Sequence, residues 1–153
     1  MIVHLRKICF ILLAVALSGC VSISVPKYIK DKHPTTKTFL APYDQVALAT
    51  HQALDKLGWE VSEESDPGTF EHNRDEGEAG KQTLIFTEIK EAARILYSRY
   101  STVNVYLRAL KDGTEVEVRT LARRPFLFMT FDSYHNDPLV NRLFAEIQSG
   151  LGK

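Results

Sequence analysis

Asp112-Gly113 constrains the fold of this chain more than any other pair of residues. On one side, Val103 to Ala109 alternates apolar and polar residues; on the other, Thr114 to Thr120 does the same. Asp-Gly suits the two central positions of a type I′ turn, which match the right-handed twist of two antiparallel strands. A two-residue loop pairs Lys111 with Thr114, so Ala109 faces Val116, Leu107 faces Val118 and Val105 faces Thr120. Arg108 then meets Glu117 on the other face. A slip of one residue would turn the apolar set to the polar face. The centre of the fold is therefore an antiparallel hairpin with one buried side.

Helical patterns lie on both sides of it. Pro42 opens a first helix, where its fixed φ helps and its missing donor does no harm. Val46, Ala49, Thr50, Ala53, Leu54 and Leu57 follow helical spacing, Asp44 and Lys56 suit the two ends of the dipole, and Gly58 is a natural residue just past the end. Asp137 as N-cap and Pro138 at the first helical position start the last helix. Val140, Leu143, Phe144, Ile147 and Leu151 form its stripe, and Gly150 ends it. Between them, Trp59–Glu63, Thr69–Asn73 and Thr83–Thr87 read as strands, with a turn at Asp66-Pro67-Gly68 and a polar loop from Asp75 to Gly80. Residues 89–98 favour a short helix over the start of a strand. The order predicts an α+β domain: an antiparallel sheet with helices packed on one face.

The amino terminus carries a different signal. His4, Arg6 and Lys7 precede an uncharged run from Ile8 to Leu17, which is too short to span ~30 Å of hydrocarbon. Leu17-Ser18-Gly19-Cys20 closes it and matches the processing site of a lipid-modified signal peptide. Residues 1–19 are expected to be removed and Cys20 to carry lipid, tying the chain to a membrane. Of 153 residues, 134 remain after the loss of 19. Cys9 leaves with the signal, so no disulfide can form and the core alone must hold the fold. Residues 20–37, with Pro26, Pro34 and several lysines, read as a tether, and 38–153 as a single domain. Arg6 and Lys7 also leave, so 17 basic against 19 acidic residues give a net charge of −2. That balance excludes a general nucleic-acid binder. Val21 follows Cys20 where an Asp would favour inner-membrane retention, which points to the periplasmic side of the outer membrane.

From Ala41-Pro42-Tyr43 through Gly58-Trp59-Glu60-Val61, the chain resembles the opening helix and strand of helix-grip domains in small bacterial lipoproteins. Similar domains occur in the C lipoprotein of the outer-membrane barrel-assembly machine. The Asp137-to-Gly150 helix resembles that of uncharacterised proteobacterial lipoproteins of the same plan. The resemblance spans about residues 38–151. It implies a helix-grip-like fold and a role in the envelope without catalysis.

Catalytic and metal chemistry find little footing in the residues. His33, His51, His72 and His135 form no H-x-x-x-H or H-E-x-x-H pair, and no thiolate is free to join them. Asp75, Glu76 and Glu78 lack the spacing of a calcium loop. Asp132, Ser133 and His135 have the residue types of a triad, but adjacency does not create its geometry. Glu63 and Glu64 point to opposite faces of a strand. No enzyme activity, cofactor or metal is expected.

The segment from Arg123 to Phe131 stands out, with three Phe and a Met behind two arginines and Pro125 breaking the preceding strand. Two readings stay open: alternate residues cover the sheet as core, or the apolar side chains form a docking surface for a partner or for the membrane interface. Arg, Phe and Met are enriched in interfaces. Arg123, Arg124, Phe126, Phe128 and Met129 are the candidate interaction residues, beside Cys20 for the lipid. The expected function is a non-catalytic envelope lipoprotein that binds a protein partner as an assembly or maintenance accessory. The alternative is a small-ligand or lipid carrier with a cavity between helix and sheet.

Overall fold

The computed structural model describes residues 23–71, 80–93, 98–126 and 129–152. The protein is α+β: its described residues form an open antiparallel sheet and two α-helices. The elements run β1 (Thr35–Phe39), α1 (Tyr43–Lys56), β2 (Val61–Ser65), a 3₁₀ turn (Pro67–Thr69), β3 (Gln82–Thr87), β4 (Lys90–Ala93), β5 (Ser98–Leu110), β6 (Gly113–Phe126), β7 (Met129–Ser133) and α2 (Asp137–Leu151). The main strand order is β1-β6-β5-β3-β2. β5 and β6 are much longer than their neighbours, and their far halves are bordered instead by β4 and β7. The sheet thus has a five-stranded body and a four-stranded extension.

Both helices lie on the same face of the body. Val46, Ala49, Ala53 and Leu54 of α1 and Leu139, Val140, Leu143, Phe144 and Ile147 of α2 pack on Ile85, Val103, Val105, Leu107, Val116 and Val118. Full burial of each large aliphatic side chain contributes about 1.5–3 kcal/mol, which holds this layer together. The helices also touch each other closely. A Cβ on Gly150 would stand 3.2 Å from Ala49 Cβ. Gly150, expected to end the last helix, instead lies within it and lets α1 approach; the C-cap is Gly152. At the other end Asn136, not Asp137, occupies the N-cap, and its carbonyl accepts from Leu139 and Val140 N–H. Pro42 likewise serves as N-cap of α1. Gly58, at φ +72°, is the left-handed residue past its end, as expected.

The central hairpin forms on the expected faces, in a shifted register. Leu110 pairs with Gly113, Leu107 with Val116 and Val105 with Val118, so the loop is Lys111-Asp112. The displacement is two residues along the partner strand, which preserves the faces because side chains alternate with period two. Gly113 is drawn into the strand by β1. A Cβ there would lie 2.3 Å from the Phe39 carbonyl oxygen, so this close approach of the end of β1 to the start of β6 requires glycine.

Four local expectations are corrected. No strand begins at Thr69: Asp66 caps Gly68 N–H at 2.9 Å and Pro67 starts a 3₁₀ turn. Phe70 stacks on Tyr28 and meets Phe86 edge-on, both at 5.2 Å. Residues 90–93 are β4 rather than helix, because β5 beyond its β3 partner offers an unpaired flank. β6 continues through Pro125, which pairs with Thr130. The β5 ladder ends at Arg123, so Pro125 sits where β6 is bordered on one side only, a position that tolerates proline. The first expected strand shifts to Val61–Ser65. The loop expected at 75–80 lies outside the described residues, Gly80 excepted.

Residues ahead of position 38 also pack on the fold. β1 pairs Thr35 with Val118 through to Phe39 with Thr114. Before it, a strap of residues 24–29 crosses the sheet face opposite the helices. Ile29 is fully buried there, and its N–H donates to Asn104 Oδ1 at 2.7 Å. Asn104 Nδ2 donates to the Lys27 carbonyl at 3.2 Å.

Candidate interaction surface

Two sites concentrate polar or apolar chemistry. The first is a buried ion cluster beneath the strap. Arg119 is nearly inaccessible, as is Glu117 beside it. Its Nε meets Glu117 Oε1 at 2.6 Å, and its Nη1 meets Glu71 Oε1 at 2.6 Å. Nη1 also donates to the Tyr28 hydroxyl at 2.8 Å and to the Ile29 carbonyl at 3.2 Å. The Tyr28 hydroxyl in turn donates to Glu71. Burial works against the Arg119 charge, yet the hydrogen bond to Glu71 and the adjacent Glu117 hold its pKa above the ordinary arginine value. Burial, then the bond to Glu71, pushes the Tyr28 hydroxyl up. Arg119 Nε is held by Glu117 on its own strand, while Nη1 and the Tyr28 hydroxyl are aimed at the strap and at the segment after the 3₁₀ turn. The cluster's work is to clamp residues 28–29 and 70–71 onto the sheet.

The second site is the extension. Arg123 pairs across the strands with Asp132 as a two-pronged bridge, Nε to Oδ1 at 2.7 Å and Nη2 to Oδ2 at 2.6 Å. The hydrogen bonds from Arg123, more than its charge, hold the Asp132 carboxyl below its ordinary range. Arg123 Nη1 donates to the Ser24 carbonyl as well. This fastens the start of the strap to the extension. Arg123 is therefore committed to structure.

The remaining candidates divide by register. Arg124 pairs with Phe131 and Phe126 with Met129, so all four share the face on which the helices pack further down. Phe126, Met129 and Phe131 are 56%, 59% and 52% exposed, and Tyr134 follows at 37%. These side chains are therefore not covered by other described parts of the fold. Phe128 lies outside the described residues, and so does Cys20. Phe131 was missed as a candidate, because without a turn signal between Pro125 and Met129 the β6–β7 hairpin is invisible in sequence. Lys90 and Arg99 join the same face through β4 and β5. Arg99 Nε has no hydrogen-bond partner among the described residues.

The catalytic candidates stay apart. His51 Nε2 lies 3.2 Å from Glu64 Oε1 on an open flank, and Glu63 turns to Lys27 on the opposite face. Asp132, taken by Arg123, is not available to Ser133 or His135. Among the described residues no three His, Cys, Asp or Glu side chains gather as metal ligands. No described helix is long and apolar enough to cross a membrane. No protein-family model matches the chain, and no curated protein matches it.

Proposed function

We propose that this chain is a lipid-anchored, non-catalytic protein of the cell envelope, held at the periplasmic face of the outer membrane through Cys20. Its helix-grip-like domain binds a protein partner there as an assembly or maintenance accessory. The observation that carries this reading is the clamped strap. Ile29 is buried and Tyr28 is held by Arg119 and Glu71, so the anchor connects to the domain by a short, fastened segment. Such a connection displays a binding surface at a set height above the membrane. The end displayed away from the anchor, beside the β5–β6 turn, carries Leu40, 89% exposed, and Leu48 on α1 is 60% exposed.

The carrier reading has less support. The layer between helices and sheet is filled by Val46, Leu54, Ile85, Val105 and Ile147, all inaccessible. Photoreactive residues placed at Leu40 and Leu48 in living cells test the proposal. One specific protein adduct, identified by mass spectrometry, is expected from at least one position. Adducts of lipid or small ligand alone would overturn it.

A further inference from the structure

We propose that the outer end of the four-stranded extension is a second membrane contact, which seats the domain against the lipid surface that holds its anchor. The inference rests on the reading of Cys20 as the lipidated residue. Three observations converge. Arg123 binds the Ser24 carbonyl, so the strap enters at the extension rather than at the opposite end of the sheet. Cys20 is four residues ahead of Ser24, and four residues reach at most ~14 Å even when fully extended. Phe126, paired with Met129 of β7 to form the tip, lies three residues beyond Arg123 on β6, which is ~10 Å along a strand. Tether and tip are therefore matched in length, and the tip reaches back to the surface from which the chain starts.

The chemistry of the face fits lipid. Phe126, Met129 and Phe131 stand exposed together on one sheet face, beyond the stretch that the described helices cover. Lys90, Arg99 and Arg124 share their face, while the carboxylates Glu91 and Asp132 lie on the other, bonded to Tyr100 and Arg123. Among the described residues of these four strands, the aromatic face has cations and no carboxylate. Aromatic side chains settle at the membrane interface, and basic side chains beside them are drawn to anionic head groups. A soluble partner would not require the anchor and the patch to coincide at one end.

The test uses the mature lipid-carrying protein in vesicles of phosphatidylglycerol and phosphatidylcholine. With Cys9 removed and Cys20 acylated, Thr130→Cys and Asp112→Cys each provide a single thiol for a nitroxide. Power saturation with oxygen and with a water-soluble nickel chelate then reads depth. The probe at 130 is expected at head-group depth or below, and the probe at 112 in water. Phe126→Ser combined with Phe131→Ser should return the 130 probe to water, leave the protein vesicle-bound through its lipid and leave its melting temperature unchanged. In the unacylated Cys20→Ser chain, the same pair should weaken vesicle binding by about tenfold or more, as expected for two half-buried aromatic rings. A water-exposed 130 probe on protein whose Cys20 lipid is proven by mass would overturn the second contact and leave the anchor intact. Absence of the lipid mass would overturn the anchor reading and the inference built on it. A protein cross-linked at position 130 in cells, in place of lipid contact, would also overturn the membrane assignment.

Discussion

Gly113→Ala offers the sharpest test of how this sheet is assembled. Gly113 sits at φ +156°, paired with Leu110, under the end of β1. An added Cβ would lie 2.3 Å from the Phe39 carbonyl oxygen, 3.2 Å from its carbon and 3.3 Å from Leu40 Cα. All three are backbone atoms, so no side chain can swing away. Relief requires β1 to move by about 1 Å, since carbon–oxygen contacts settle near 3.3 Å. That movement opens the Phe39–Thr114 pair and lifts Phe39, 2% exposed, from Phe144. Backbone strain of about 1–3 kcal/mol, with about 1 kcal/mol for a lost ladder bond, brings the total to roughly 2–4 kcal/mol. Gly80→Ala is the control. It is also left-handed, at φ +62°, but nothing lies within 4 Å of its Cβ position, so only conformational strain of about 1–2 kcal/mol applies. Trp59, the single tryptophan and 7% exposed, reports both unfolding transitions by fluorescence in urea. Equal losses for the two variants would show that the close approach of β1 does not demand glycine at 113 and would refute the argument.

Arg119→Met removes the guanidinium from between Glu71 and Glu117 and should cost about 3–5 kcal/mol, the range for breaking a buried pair; hydrogen exchange at Ile29 N–H should rise with it. Cys20→Ala should abolish lipid attachment, read by metabolic labelling and membrane fractionation, and unchanged labelling would sink the anchor. The Asp132 carboxyl is held low by Arg123. Its contribution is therefore present above the ordinary carboxylate pKa of about 3.9 and lost as pH falls through the lower folded value. Asp132→Asn should flatten stability in that acid window by no more than about 1 kcal/mol, because the bridge is partly exposed, and denaturant midpoints at several pH values check it.

Local chemistry in the sequence was enough for the parts whose partners are near in the chain. The stripes of α1 and α2, the left-handed Gly58 and the alternation around the central hairpin all follow from residues within a few positions of each other, where period and cap are decisive. Register, edges and exposure were decided elsewhere. The hairpin loop moved to Lys111-Asp112 because β1, more than seventy positions earlier, requires a residue without a side chain at Gly113. Residues 90–93 became a strand because β5 had a free flank. The strap binds because Ile29 meets Asn104 and Tyr28 meets Arg119, 75 and 91 residues away. Phe126 and Met129 look the same in sequence whether buried or exposed. Only the place where the helices stop covering the sheet decides which, because burial belongs to the neighbours that folding brings and not to the side chain itself.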